Sequence, residues 1–184
     1  MAQVQSLTRG LSILECVAQS EGGLTLTDIA QRAQLAPSTT HRLLATLEKT
    51  GYVYQMGDLG LWYVGLQAFT VGSSFLANRD FATHSHAHMR RLMEQCGETA
   101  NLAILDGTEA VFIDQVQCRE TMRTIVKLGS RVPLHASGVG KAIFASLPDD
   151  QIDALIKVKG LPRITENTIT SPGKIGRASC RERV

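Results

Sequence analysis

The chain has 184 residues, which is enough for one or two small domains. Hydrophobic residues make up 43% of it, but they form no run long enough to cross a membrane, so the composition predicts a globular protein without a membrane partner. The formal net charge of +2 comes from basic residues after position 173, and the preceding chain is slightly acidic. Bulk charge therefore does not argue for a nucleic-acid partner.

The cysteines indicate a reducing environment. They are widely spaced and form no CxxC pair, a pattern typical of free thiols rather than of a disulfide or zinc framework. No charged-then-apolar segment opens the chain, so the sequence predicts no secretory signal. We therefore expect a cytoplasmic protein with free thiols at Cys16, Cys96, Cys118 and Cys180.

Residues 6–19 are predicted to form the first helix, which the glycine pair at 22–23 ends. Its apolar residues recur at helical spacing, and the stripe that they form would support the following helices from behind. The stripe consists of Leu7, Leu11, Leu14, Val17 and Ala18.

Residues 25–50 predict two short helices with a tight break between them. Thr25 followed by Asp28 is a capping-box pattern, which marks the start of the first helix. The break comes at Pro37, because the residue before a proline is displaced from helical geometry. The second helix follows at once and stops at Gly51, a residue suited to the left-handed cap. This arrangement is typical of a helix-turn-helix.

The first turn of the second helix carries short hydroxyls, an imidazole and a guanidinium, and no bulky apolar side chain. Small donors at this position can enter the major groove of DNA and contact base edges. The alternative is that the hydroxyls merely cap the helix. The paired helices, the tight turn and the hairpin that follows favour base recognition by Ser38, Thr39, Thr40, His41 and Arg42.

A hairpin is predicted directly after the two helices. Residues 52–54 and 61–64 are rich in aromatic and β-branched side chains, and residues 57–60 (GDLG) between them can turn. A helix-turn-helix followed by such a hairpin is a winged helix. We expect the tip of the wing to lie along phosphate or in the minor groove.

Residues 65–79 predict a linker helix that is apolar enough to need a partner, either another protomer or its own domain. The domain boundary is predicted near residues 78–80.

The next predicted helix, 81–96, carries His84, His86 and His88. His84 and His88 share a face, but His86 does not, so a solvated or dimer-facing helix is favoured over a metal site.

The remaining elements predict an α+β domain. Residues 99–105 and 110–116 form two strands joined by an Asp-Gly turn, and residues 124–128 form a third. Helices are predicted at 137–146 and from 148 to about 158. Three strands with helices on one side suggest a sensor layer of the GAF or PAS type.

Residues 134–141 (LHASGVGK) place small residues at a helix start, where free N–H groups can bind a small anion. The segment is not a Walker A loop, because His135 replaces the first glycine and Ala142 replaces the Ser or Thr after Lys141. The alternative is that the glycines only let the helix pack closely on the sheet. The residues themselves leave both interpretations open.

Several phrases together resemble the isocitrate-lyase-regulator (IclR) family of bacterial transcription factors. In the N-terminal part these are QVQSLTRG at 3–10, PSTTHRLL at 37–44 and VGSSFL at 71–76. In the C-terminal part they are GETAN at 97–101, DQVQC at 114–118 and GSRVPLHASGVGKA at 129–142. Within the family, the chain is most similar to the glyoxylate-bypass and allantoin-pathway repressors.

The resemblance implies roles for further residues. Backbone amides at Gly138 and Val139 would hold the carboxylate of an effector, and Thr121, Thr124 and Val132 would form the wall of the pocket. Two threonines make this wall more polar than in the glyoxylate-responsive relatives. Linker helices of the family help to pair protomers.

The predicted organisation has four parts: residues 1–65 as a winged helix-turn-helix domain, 66–79 as a linker helix, 80–173 as a truncated effector-binding domain and 174–184 as an artefactual tail. The tail resembles a translated sequencing adapter and does not match the family. We therefore expect an incomplete effector pocket and a sheet with an unpaired edge.

The sequence favours a DNA-binding regulator, a repressor by its resemblance, that senses a small carboxylic acid such as glyoxylate or pyruvate. Arg32 and Lys49 would hold phosphates of a double-stranded operator. Few cations precede residue 77, so tight binding would need a homodimer or homotetramer. The alternatives are a protein-interaction winged helix and an enzyme of small-acid metabolism. The enzyme is disfavoured because no nucleophile–base pair or metalloprotease motif is present, and no cofactor is expected.

Overall fold

The computed structural model describes residues 3–77, 80–121 and 125–178, which fall into unit 1 (up to residue 79) and unit 2 (from residue 80). Unit 1 contains α1 (Gln5–Ala18), α2 (Leu26–Arg32), α3 (Pro37–Lys49), β1 (Val53–Met56), β2 (Leu61–Val64) and α4 (Leu66–Ala77). Unit 2 contains α5 (Asp80–Cys96), β3 (Ala100–Asp106), β4 (Glu109–Val116), β5 (Arg131–Pro133), α6 (Gly138–Ser146), α7 (Asp149–Lys159) and α8 (Pro172–Ala178). Across the described ranges, no helix combines the length and the apolar character needed to cross a membrane.

Unit 1 has the predicted winged helix-turn-helix arrangement. Helices α1, α2 and α3 pack together with the antiparallel hairpin of β1 and β2. Leu24 joins the segment before α2 to the hairpin, because it exchanges backbone hydrogen bonds of 3.2 and 2.8 Å with Trp62. The buried residues of this core are Ile13, Val17, Leu24, Ile29, Leu44, Val53 and Trp62.

The face that α1 turns to the core differs from the predicted stripe. Gly10, Ile13 and Val17 are buried, whereas Leu7 is 62% exposed and Leu11 is 51% exposed. The spacing of the apolar residues could not show which side of α1 faces the core, because α1 carries apolar residues on more than one side. The expectation that Leu7 and Leu11 support the recognition helices is therefore wrong, and both lie on an exposed apolar stripe.

The predicted capping box at the start of α2 is confirmed. The N–H of Asp28 donates to Thr25 Oγ1 at 3.2 Å, and Asp28 Oδ2 accepts from the Thr25 hydroxyl at 2.6 Å and from the Thr25 N–H at 3.3 Å. These hydrogen bonds stabilise the carboxylate, and they lower the pKa of Asp28. The first turn of α2 is thus fixed by two nearby side chains.

A close backbone approach ties the start of α4 to the end of α3. The N–H of Gly65 donates to Tyr52 O at 2.7 Å, and the N–H of Gln67 donates to Gly51 O at 3.1 Å. A Cβ atom at position 65 would lie 2.2 Å from Gly51 O, so only glycine fits. The chain therefore enters α4 in direct contact with the segment that leaves α3.

Unit 2 contains an antiparallel sheet in the order β3-β4-β5, with α5 and α6 packed against it. The predicted Asp-Gly hairpin is confirmed: Asp106 pairs with Glu109, and Gly107 has a left-handed φ of 59°. The register of the pairing between β3 and β4 shifts between Leu102 and Ala103. The buried apolar core is Ala110, Leu134, Phe144, Ile152 and Ile175.

The third strand lies later in the chain than predicted. Residues 125–128 have no strand structure, and residue 124 falls outside the described residues. A turn closed by the Ser130 N–H and Lys127 O precedes the pairing, which begins with hydrogen bonds between Phe112 and residues 129–130. The β-branched composition of 124–128 therefore did not locate the strand, because the turn controls where pairing starts.

Helix α8 overlaps the predicted tail. Ile175 is 2% exposed and packs into the core of unit 2, so the structure places this residue of the expected tail inside the domain. Its position in the core follows from α8, which lies against α6. Cys180, one of the predicted free thiols, lies outside the described residues. The boundaries of the other predicted parts stay predictions.

Candidate DNA-binding surface and effector site

The turn between α2 and α3 sets the position of the recognition helix. Gln34 adopts a left-handed φ of 54°, and the N–H of Leu35 donates to Ala30 O at 2.9 Å. Pro37 follows in the first turn of α3, where a missing N–H costs nothing. Leu44 anchors α3 in the core, so the opposite side of the helix faces solvent.

The hydroxyls at the start of α3 do not cap it. The N-cap residue is Ala36, and no side-chain hydrogen bond caps this end of the helix within the described structure. Ser38 is exposed and Thr39 is half-buried. The first N–H groups of α3 therefore point away from the helix body at the positive end of its dipole, where an anionic partner is favoured.

Thr40 cannot read bases as predicted. Its side chain is 0% exposed, and its hydroxyl donates to Ala36 O at 3.2 Å, one turn back in the same helix. Threonine in a helix commonly makes this bond to the carbonyl four residues earlier. The polar residue type suggested a surface position, but the hydroxyl is satisfied inside the helix and the methyl group packs in the core.

The solvent-facing side of α3 is larger than predicted. His41, Arg42 and Lys49 are exposed as expected. Ala45 and Thr46 are exposed as well, and the Thr46 hydroxyl donates to Arg42 O at 2.9 Å. Counting three and four residues on from Arg42 would have identified both positions.

Arg32 is the last residue of α2, and its side chain is exposed. Burial raises the pKa of the Cys16 thiol, and the charge of Arg32 opposes this shift, so the guanidinium acts on α1 from nearby. Arg32 is one of the few cations that unit 1 supplies, and its predicted contact with phosphate stays a prediction.

The wing ends in a tight turn. The Gly60 N–H donates to Gly57 O at 3.0 Å, and both glycines have a positive φ. On the exposed face of the hairpin, the rings of Tyr54 and Tyr63 stack with centroids 5.6 Å apart. The Tyr63 hydroxyl also donates to Gly22 O at 3.1 Å, which fixes the base of the wing to the segment before α2.

In unit 2, a side chain caps the start of α6. Ser137 is the N-cap: its hydroxyl donates to Pro133 O at 2.7 Å and accepts from the N–H of Gly140 at 3.1 Å. The N–H groups of Gly138 and Val139 precede the first intrahelical hydrogen bond, so the helix itself provides no acceptor for them. Gly138 is exposed and Val139 is half-buried.

The two glycines of this turn have different roles. A Cβ atom at Gly140 would lie 2.2 Å from Leu134 O and 2.3 Å from Leu134 Cα, whereas a Cβ atom at Gly138 would meet nothing within 4 Å. Close packing therefore explains Gly140 but not Gly138. Anion binding at Gly138 stays a prediction.

The predicted pocket wall is only partly brought together. Val132 in β5 and Val139 in α6 pack against the same core. Thr121 is exposed in the segment after β4, and Thr124 lies outside the described residues. A cavity behind α6, lined by Leu134, Phe144 and others, has a volume of about 10 Å³ and could not hold a carboxylic acid.

His86 and His135 each make a polar contact within unit 2. His86 Nδ1 lies 2.9 Å from Asp114 Oδ2, which links α5 to β4. His135 is 4% exposed, and its Nε2–H donates to Pro162 O at 2.9 Å, which ties the turn before α6 to the segment after α7. In the part of the chain that the structure describes, no three His, Cys, Asp or Glu residues form a group that could hold a metal ion.

Comparison with known proteins identifies both units. The IclR helix-turn-helix domain matches residues 6–57, and the C-terminal domain of the bacterial transcriptional regulator IclR matches residues 73–178. The acetate operon repressor of Salmonella typhimurium is 51% identical over 172 residues, which cover 92% of this chain and 63% of that protein. The AllR repressor of Klebsiella pneumoniae is 46% identical over 165 residues, which cover 90% of this chain and 61% of the relative.

The fold is also found among solved structures. An IclR homologue from Microbacterium hydrocarbonoxydans, solved with 4-hydroxybenzoate, aligns with a TM-score of 0.79 at 25% identity, covering 94% of this chain and 71% of the other. The chain spans slightly less than two thirds of the length of the two curated relatives, which are repressors rather than enzymes. The winged helix-turn-helix, the α+β second unit and these matches show that the chain belongs to the IclR family of bacterial transcriptional regulators.

Proposed function

We propose that this chain acts as a DNA-binding transcriptional repressor that senses a small carboxylic acid, such as glyoxylate or pyruvate. The two curated relatives are named as repressors, which supports the direction of regulation. The Microbacterium homologue was solved with 4-hydroxybenzoate, itself a carboxylic acid, which supports the class of effector. The operator would be double-stranded DNA read by α3.

The exposed face of α3 carries the proposal. It combines an uncapped start with a row of exposed side chains at helical spacing, and Arg42 supplies the planar guanidinium that can pair with guanine in the major groove. Arg32 and Lys49 are the last residues of α2 and α3, both are exposed, and we propose that they contact phosphates. The face is Ser38, Thr39, His41, Arg42, Ala45, Thr46 and Lys49.

Replacement of Arg42 by alanine should weaken operator binding by about tenfold or more, since one bidentate base contact contributes roughly 1–3 kcal/mol. We would measure affinity for a palindromic operator duplex and for a scrambled duplex over a salt series. The matched control is Arg90→Ala, which removes an exposed arginine from α5 of unit 2 and should change affinity less than twofold. Equal losses on both duplexes would make Arg42 a phosphate contact. If the parent chain bound no duplex at low salt, DNA binding would be refuted and a protein-interacting winged helix favoured.

Exposed apolar stripes on two helices of unit 1 support a homodimer. Leu7 and Leu11 are exposed on α1, as is its N-cap residue Val4, and Leu66 and Phe69 are more than 70% exposed on α4. Side chains of this size are rarely left in water in such numbers without a partner. We propose that protomers pair through these stripes, as a homodimer or within a homotetramer, so that two recognition helices meet two half-sites.

Phe69→Asp should convert the assembly to monomers and reduce operator affinity by about 100-fold, because paired binding raises apparent affinity by two to four orders of magnitude. Sedimentation analysis would give the mass, and operator titration the affinity. Gln67→Asp is the control, since it adds the same charge to an exposed position of the same helix. If Phe69→Asp left the mass of the assembly unchanged, pairing through α4 would be excluded.

For the effector, we propose that the N–H groups of Gly138 and Val139 hold the carboxylate at the start of α6. Val132 and the two threonines, Thr121 and Thr124, would form the wall. The support is the open space at Gly138 and the shared packing of Val132 and Val139. A wall with two hydroxyl groups favours an acid that carries a second polar group.

A further inference from the structure

The wing of unit 1 carries almost no charge. Between Val53 and Val64, Asp58 is the single charged residue, and lysine and arginine are both absent from this stretch of the sequence. A wing without a cation cannot neutralise phosphates, so it adds nothing to the electrostatic term that dominates non-specific DNA binding. Any contact between this wing and DNA must therefore be of another kind.

The wing tip holds Asp58 in a defined place. In addition to the bond between Gly60 and Gly57, the Gln55 side-chain amide donates to Gly60 O at 2.7 Å and closes the turn from the strand side. Asp58 is exposed, and its carboxylate has no hydrogen bond or ion pair with any residue that the structure describes. An acceptor group thus stands unpaired at the tip of a fixed turn.

Apolar side chains flank this carboxylate. Leu59 is 79% exposed and Met56 is 54% exposed, and the hairpin ladder places Met56 opposite Leu61 in the last pair before the turn. Leucine and methionine are side chains that proteins place in the minor groove, against sugars and base steps. The tip is therefore suited to a contact inside a narrow groove rather than to a row of phosphates.

The minor groove offers a carboxylate only one favourable partner. An A·T pair presents acceptors alone on this edge, whereas a G·C pair adds the 2-amino donor of guanine. A-tracts also have a narrow groove with an enhanced negative potential, which repels an acid. Hydrogen bonding and electrostatics thus both favour a G·C pair over an A·T pair beside a carboxylate.

We propose that Asp58 makes the wing select G·C base pairs. The tip enters the minor groove beside the site of α3, Leu59 and Met56 contact the sugars, and the carboxylate accepts a hydrogen bond from the guanine 2-amino group. Three residues separate α3 from β1, so the wing follows the recognition helix directly in the chain. This inference rests on the proposed DNA-binding function.

Enrichment of bound duplexes from a randomised pool tests the proposal, because such a pool contains every short operator that the chain could select. The parent chain should enrich a central palindrome and, at symmetric flanking positions, G·C pairs. Asp58→Asn should keep the palindrome and lose the flanking preference, because an amide can both donate and accept. Replacing the flanking guanines of the enriched duplex by inosine, which lacks the 2-amino group, should lower the affinity of the parent chain for the duplex by about fivefold or more. The same replacement should leave the affinity of the Asp58→Asn variant unchanged.

Glu15→Gln is the matched control, because it removes one exposed acid from α1 of the same unit. It should raise affinity for all duplexes alike and keep the flanking preference. If the parent enriched a palindrome but inosine had no effect, the role of Asp58 would be overturned while DNA binding stood. If, in addition, Leu59→Ala left the affinity for DNA unchanged, the wing would not contact DNA, and a protein partner for the wing would be favoured. If the parent enriched no sequence at all, the proposed function itself would fail, and this inference with it.

Discussion

Replacing Gly140 by alanine should unfold unit 2 under conditions where unit 1 remains folded. The added Cβ atom would lie 2.2 Å from the Leu134 carbonyl oxygen, which belongs to the backbone and cannot rotate away. Overpacking of a core commonly costs about 1–3 kcal/mol, and a clash with backbone belongs at the upper end, so we expect a loss of about 3 kcal/mol or more. The loss should be confined to unit 2, because Gly140 and Leu134 both lie there.

The chain provides its own reporter for this experiment. Trp62 is the single tryptophan and is buried in unit 1, so its fluorescence follows unit 1, while circular dichroism follows both units. Gly140→Ala should shift the dichroism transition of unit 2 and leave the fluorescence transition in place. The matched control is Gly138→Ala, which meets no atom within 4 Å and should change stability by less than about 1 kcal/mol. Equal stability of the two variants would contradict the close approach.

Replacing Gly138 by proline should abolish the response to small acids while preserving the fold. Proline removes the N–H that we propose to hold the carboxylate, yet the first position of a helix tolerates proline well. The preceding residue, Ser137, already has the extended geometry that proline requires, with φ −116° and ψ 151°. The N-cap bond from Gly140 to Ser137 would remain. The substitution therefore removes one donor with little other change.

Calorimetric titration with glyoxylate, pyruvate and 4-hydroxybenzoate would measure this response, together with release of operator DNA by the same acids. Gly138→Ala again serves as the control, since it keeps the N–H and should keep binding. Unfolding curves of the proline variant should match those of the parent within about 1 kcal/mol. A proline variant that bound the acids as tightly as the parent would show that this amide does not hold the carboxylate.

The elements that sequence predicted well are those set by local chemistry. The capping box of Thr25 and Asp28, the break at Pro37 and the turn at Gly107 each depend on a few neighbouring residues, and each was found where expected. The family resemblance was confirmed for the same reason, because its phrases are contiguous in the chain. Such features are set before the chain packs.

The errors arose where packing decides. Thr40 is polar by type, but the position of α3 against the core buries it, and its hydroxyl is satisfied by its own helix. Leu7 and Leu11 are apolar by type, but the core takes the other side of α1. The third strand lies later in the chain than predicted, because its pairing with β4 begins only after a turn at 127–130. Residue composition did not reveal this turn.

The candidate sites were predicted in outline but not in detail. The exposed face of α3 contains four of the five predicted base-reading residues, and also Ala45 and Thr46, which residue type alone did not suggest. At the start of α6 the sequence could not separate anion binding from close packing. The structure shows that close packing requires glycine at position 140, whereas anion binding at Gly138 stays a prediction.

The contact at Gly65 has a mechanical meaning. Because the N–H groups of Gly65 and Gln67 donate to carbonyl groups of the segment that leaves α3, backbone hydrogen bonds connect α4 directly to the end of α3. A rotation of α4 would therefore be transmitted to α3 through the backbone, with no relay of side chains in between. In the dimer that we propose, this direct connection would let a small rotation of α4 change the spacing of the two recognition helices on DNA.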